Sequence, residues 1–237
     1  MVTGRSQQSA VGNQQENKPL VSSLQPPASS HAHQFDDAEQ QHESAYLGMW
    51  VFLATEVLFL GGLFAAYAVY RTIYPSAFGE ASRHLFATLG GVNTAVLLTS
   101  SLAMALAVRA AKLGRRGQLI GFLVLTMLLG VAFLGIKATE YYLEYQEGLV
   151  PLKGFVFRYE GADADKARLF FNFYFALTGL HALHMIIAIG MVAAIAVLAR
   201  RGRFSAEYNT PVEIVGLFWH FVDIVWVFIF PLLYLVG

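Results

Sequence analysis

Residues 46–70 read YLGMWVFLATEVLFLGGLFAAYAVY, a run with a single charged side chain, Glu56. A helix rises about 1.5 Å per residue, so about 20 such residues cross a hydrocarbon layer about 30 Å thick. Four further stretches of the same kind lie at 86–108, 119–142, 169–199 and 212–236. Lipid offers no water to unpaired backbone groups, so each of the five is expected to be a helix. The fourth span is the longest and must tilt or protrude.

Composition agrees with this reading. Of 237 residues, 56% are apolar and only 14% charged, whereas a soluble domain carries about 25% charged residues. Sixteen basic residues balance sixteen acidic ones, so there is no net positive charge to attract nucleic acid. The sequence holds no cysteine, which removes disulfides, Cys-ligated zinc, iron–sulfur clusters and thiolate-bridged copper. The expected fold is an all-α integral membrane protein, with five transmembrane helices bundled within residues 44–237. Residues 1–43, rich in Gln and Ser and lacking any apolar run, are expected to form a disordered tail. His31, His33 and His42 in that tail are read as solvated rather than as metal ligands.

Local signals refine the picture. Thr210-Pro211-Val212-Glu213 has the pattern of a capping box with an early proline, and Pro231 should bend the last span. Gly61/Ala65 and Gly62/Ala66 are small-residue pairs that permit close helix contact. The segments 109–118 and 200–211 carry seven basic residues, Arg200, Arg201 and Arg203 among them. By the positive-inside rule these segments face the cytoplasm, which puts the N-terminus inside and the C-terminus outside.

Ionisable side chains at mid-membrane are costly and rarely idle. Five fall there: Glu56 in the first span, His181 and His184 in the fourth, His220 and Asp223 in the fifth. Lys137 and Glu140 sit nearer the outer end of the third. Spacings of three place each pair on one helix face. Three imidazoles and two carboxylates are a possible metal set, but hydrogen bonding between packed helices is the favoured reading, and no metal is expected. Glu56 has no Lys or Arg within a turn, so it is read as a neutral acid donating one hydrogen bond, as a group that exchanges a proton, or as both together. Asn93, Thr94, Thr99, Ser100 and Ser101 are read as interhelical hydrogen-bonding groups, and the three tryptophans mostly as packing or interface anchors.

Five stretches carry a resemblance: ATEVLFLGGLF (54–64), NTAVLL (93–98), KATEYY (137–142), TGLHALH (178–184) and FWHFVDIVW (218–226). Together they resemble subunit III of haem–copper terminal oxidases, the cytochrome c oxidase type. The resemblance implies a non-catalytic subunit of a respiratory oxidase in a bacterial plasma membrane. Such a subunit holds no cofactor itself; haem and copper lie in partner subunits I and II, and it packs directly on subunit I. It implies support for proton uptake and protection of subunit I during turnover, with the family's carbodiimide-reactive carboxylate falling on Glu56. Many members have seven helices, the first two forming a lipid-filled cleft; this chain begins at the equivalent of the third. The helices of that cleft are not among the five spans here, and phospholipid is a possible ligand only through the basic run Arg200, Arg201 and Arg203, as headgroup candidates. Quinol oxidases have a similar subunit and nitric oxide reductases an accessory relative. A more distant alternative is a proton-coupled transporter using Glu56, His181 and Asp223.

Overall fold

The computed structural model describes residues 38–151, 157–159, 161 and 163–235. Six helices account for most of them: α1 (Ala38–Ile73), α2 (Pro75–Ser82), α3 (Ala87–Lys112), α4 (Arg116–Gln146), α5 (Ala164–Arg200) and α6 (Thr210–Tyr234). Among the described residues there is no strand, and five helices are long and apolar enough to cross a bilayer. Residues 1–42 group separately from residues 43–237; the described part of the first group is only the opening turn of α1, and the helical bundle belongs entirely to the second.

Helices α3, α4, α5 and α6 close a ring in which α3 packs on α4 and α6, and α5 packs on α4 and α6. Their shared core holds Trp219, Trp226, Phe133, Tyr174, Met104 and Leu177, all without solvent exposure. Helix α6 is the most enclosed, with 56% of its apolar window buried within the chain, against 11% for α1. Helix α1 reaches the ring through side chains. Tyr67 donates to the Leu232 carbonyl at 2.8 Å, Phe52 meets Phe218, and Tyr67 lies against Phe78, Phe170 and Phe173.

Helix ends obey local rules. Gly114, Gly148 and Gly202 adopt φ of 65°, 73° and 74°, a left-handed conformation that glycine enters without a Cβ penalty. Each ends a helix by the same pair of backbone bonds, as in Gly114 N–H to Ala111 and Arg115 N–H to Ala110, both 2.9 Å. This is the Schellman arrangement, which satisfies carbonyls left over at a helix end. Arg116 adds to the junction by donating to the carbonyls of Ala199 (2.9 Å) and Arg200, tying the start of α4 to the end of α5.

The structure corrects several expectations. Helix α1 starts at Ala38, inside the stretch read as tail, because Ala38-Glu39-Gln40-Gln41 are good helix formers although polar. Residues 1–37, His31 and His33 among them, lie outside the described set, as does the side chain of His42. The connection 71–85 contains a helix, α2, whose Phe78 is fully buried and packs edge-on against Phe170 of α5. The capping box does not form: Asn209 is the cap residue without a side-chain bond, and Glu213 instead pairs with Lys112 at 2.5 Å and accepts from Tyr46. A Cβ added at Gly61 or Gly62 would meet nothing within 4 Å, so the small pairs of α1 make no close contact among the described residues.

One glycine does permit close packing. A Cβ at Gly130 would fall 2.8 Å from Trp219 and 3.2 Å from Ile189, whereas one at Gly135 would meet nothing. Gly130→Ala should therefore destabilise the bundle by about 1–3 kcal/mol through overpacking, while Gly135→Ala should be neutral or mildly stabilising. The unfolding midpoints of the two variants in mild detergent check this; equal midpoints would contradict the packing.

Candidate functional site

The polar side chains inside the membrane fall into three groups at different places in the bundle. The first joins α1 to α5. His184 Nε2 lies 3.1 Å from Glu56 Oε2, and its Nδ1 lies 2.8 Å from the Leu180 carbonyl. That carbonyl can only accept, so Nδ1 carries the hydrogen and Nε2 is bare in the neutral imidazole. A bare Nε2 must accept, which makes Glu56 the donor as a neutral acid; alternatively the pair is imidazolium and carboxylate. Either arrangement shares one proton between the two side chains. The pair sits at the rim of the bundle, with Glu56 20% and His184 14% exposed.

The second group joins α4, α5 and α6 and is deeply buried. Lys137 Nζ donates to Glu140 Oε2 at 2.9 Å, Tyr174 OH at 2.7 Å and Tyr234 OH at 2.6 Å. An ammonium has three hydrogens, and all three are used. Tyr234 OH in turn donates to Glu140 Oε1 at 2.7 Å, so both carboxylate oxygens are held. The rings of Tyr174, Tyr141, Tyr234 and Trp226 surround the ammonium at 4.5–5.6 Å, a cation–π setting that is strongest when desolvated. Thr178 connects the outskirts, meeting Tyr141 OH at 2.6 Å and donating to the Tyr174 carbonyl at 2.6 Å. Glu144, one turn beyond Glu140, is buried with neither oxygen in a hydrogen bond.

The third group lies between α3 and α6. His220 Nδ1 is 2.7 Å from Ser101 Oγ, Trp219 donates to Ser100 at 3.2 Å and Trp226 to Thr94 at 3.1 Å. Asp223 is 3% exposed and neither of its oxygens completes a hydrogen bond. His181 is also buried and unbonded at both nitrogens, its ring between Phe133 (5.4 Å) and Trp226 (5.1 Å).

Equal spacing therefore hid unequal surroundings. His181 and His184 are three apart, yet one faces the core and the other faces α1. His220 and Asp223 are not bonded to each other. Among the described residues no three His, Asp or Glu side chains converge as a metal site. Asn93 bonds across helices, to the Phe133 carbonyl at 3.4 Å, while Thr99 bonds back to Ala95 of its own helix. Trp219 and Trp226 pack in the core, and Trp50 is 60% exposed. Arg200, Arg201 and Arg203 are all exposed at the end of α5 and just after it.

Sequence reasoning missed three members of the Lys137 centre: Glu144, Tyr174 and Tyr234. Glu144 lies four residues beyond Glu140 and seven beyond Lys137, a spacing that puts all three on one face and would have marked it. The tyrosines carried no local signal, since their partners are far away in the chain.

Lys137→Met should cost about 3–5 kcal/mol, because it leaves buried carboxyl groups without their cation. Adding Glu140→Leu should recover part of that loss, because the exposed cost is the unpaired charge rather than the missing bond. Denaturation midpoints of the single and double variants in mild detergent measure both effects, and a double variant weaker than the single one would contradict the pairing.

Comparison with known proteins agrees with the geometry. A sequence model of the family described as cytochrome c oxidase subunit III matches residues 30–237. The chain is 33% identical over 209 residues to subunit 3 of the cytochrome bo(3) ubiquinol oxidase of Pseudomonas aeruginosa, covering 86% of this chain and 91% of the relative. It is 31% identical over 202 residues to cytochrome c oxidase subunit 3 of Thermostichus vulcanus, covering 84% and 91%. It is 29% identical over 192 residues to quinol oxidase subunit 3 of Bacillus subtilis, covering 81% and 86%. With a match over nearly the whole chain and five helices able to span a bilayer, this multi-pass membrane protein belongs to the cytochrome c oxidase subunit III family.

Proposed function

We propose that the chain is an accessory third subunit of a haem–copper terminal oxidase in a bacterial plasma membrane. It packs on subunit I, holds no redox centre of its own, and sustains proton uptake and the stability of the oxygen-reducing centre during turnover. Haem and copper belong to subunits I and II. The Glu56–His184 pair carries this reading, since it is a proton-sharing pair at the rim of the bundle, on the helix this chain covers least. Helix α1 has 11% of its apolar window buried, and its remaining surface is available to subunit I and to lipid.

On this reading the segments 109–118 and 200–211 lie in the cytoplasm, with the N-terminus inside and the C-terminus outside. Arg200, Arg201 and Arg203 would then meet anionic headgroups on that side. Between α1 and α6 runs an apolar groove of about 720 Å³, bordered by Val57, Leu60, Gly61, Phe64, Phe228 and Leu232, which suits a phospholipid acyl chain. The electron donor is taken as cytochrome c. The quinol alternative has support of its own in the Pseudomonas relative, and subunit II of the complex distinguishes the two.

Purification through a tag on this chain, with mass spectrometry and a reduced-minus-oxidised spectrum, tests the assignment. Haem bands and a many-helix subunit I are expected; a colourless, solitary chain would overturn it. Glu56→Gln keeps the size and a hydrogen bond to His184 but removes the exchangeable proton. In the assembled oxidase it should leave the initial turnover rate close to normal and shorten the time to inactivation several-fold. An unchanged inactivation time would separate Glu56 from the protective role.

A further inference from the structure

The His220 group borders a cleft that opens on the surface of the described bundle. Between α3, α6 and the Tyr46 end of α1 lies a cleft of about 270 Å³, lined by Tyr46, Val108, Lys112, Glu213, Leu217 and His220 among others. Its mouth is polar, formed by the Lys112–Glu213 ion pair and the Tyr46 hydroxyl that bonds to Glu213. Its inner end is His220, seven residues along α6 from Glu213, or about 10 Å deeper at 1.5 Å per residue. Gly216 lies between them, where a Cβ would come within 2.9 Å of Val108, so a larger residue would narrow the cleft.

Three observations point the same way. His220 bonds through Nδ1 to Ser101 and lines the cleft, in a region where lipid cannot satisfy a second ring nitrogen. Asp223, three residues along α6 from His220, is a carboxyl group that is 3% exposed and has no completed hydrogen bond. Buried polar atoms without protein partners are the usual hosts of internal water. A cleft of this volume holds several waters, at about 30 Å³ each.

We propose that this cleft is a water-filled inlet from the membrane face bearing the 109–118 loop to the His220–Ser101–Asp223 group. The Ser101 hydroxyl bonds to the imidazole, and water in the inlet supplies the bonds that the Asp223 oxygens lack. The route stops there. Trp226, Phe133 and His181 stand in mutual ring contact, with centroids 4.9–5.4 Å apart, and the Lys137 ammonium lies 5.6 Å from the centre of the Trp226 ring. The aromatic layer keeps an inlet from becoming a leak across the membrane. The inlet rests on the membrane placement of α3 and α6, and it stands or falls apart from the assembly with subunit I.

The absence of native cysteine allows a direct test. Single substitutions Leu217→Cys and Ala105→Cys on the cleft, Ser101→Cys at its inner end, and Ala194→Cys on the exposed face of α5 at similar depth are placed in the full chain in native membranes. A charged, membrane-impermeant thiol reagent is applied to the face bearing the 109–118 loop, and the labelled fraction of this chain is read by mass. Leu217→Cys and Ala105→Cys should react at least tenfold faster than Ala194→Cys, with Ser101→Cys between them. Should Ser101→Cys fail to accumulate, the other two positions decide. Cleft positions as unreactive as Ala194→Cys would overturn the proposal and mean that lipid or a neighbouring chain fills the cleft. Labelling only from the opposite face would overturn it as well.

Discussion

This bundle is organised around one ion pair buried among its helices, with Lys137 2% and Glu140 0% exposed. Lys137 and Glu140 lie on α4, but the groups that make their burial tolerable come from α5 and α6: Tyr174 and Tyr234 as hydrogen-bond partners, and their rings as the walls. In a bilayer an unpaired ammonium costs several kcal/mol, however the scale is chosen. Three helices must therefore be in register before the lysine is satisfied. The apolar surfaces of α3 to α6 could slide or rotate against one another at little cost, since lipid competes with them on equal terms. The Lys137 centre removes that freedom, as does the Trp226–Thr94 bond on the α3 side.

Two of the three membrane carboxylates singled out in the sequence, Glu140 and Glu56, consequently have different characters. Glu140 is fixed by a cation and a phenol, with both carboxylate oxygens accepting, and its side chain is 1% exposed. Glu56 has one imidazole for a partner and stands at the rim, where a neighbouring subunit, lipid or water can reach it. The bundle thus combines a fixed ion pair in its interior with a hydrogen-bonded acid–imidazole pair at its boundary.

Much of this was legible in the sequence, and the limits have physical causes. The spans were found because hydrocarbon imposes length and apolarity on each helix separately. The polar residues were found because charge is conspicuous in an apolar run. Their partners were not. The Glu56–His184 bond joins positions 128 residues apart, and Tyr174 and Tyr234 reach Lys137 from other helices; spacing along one helix says only which side chains share a face. The same limitation explains the failed capping box, where a cross-helix pairing with Lys112 outcompeted the local bond, and α2, whose burial depends on Phe170 far along the chain.

The proposed role is to protect an oxygen-reducing centre without carrying it. The decisive experiment strips this chain selectively from the purified oxidase with detergent, counts iron and copper in both fractions, and follows turnover over time. All haem and copper should remain with the larger subunits, and the stripped enzyme should begin at a comparable rate but inactivate sooner. Iron or copper leaving with this chain in stoichiometric amount, or a stripped enzyme as durable as the intact one, would refute that role.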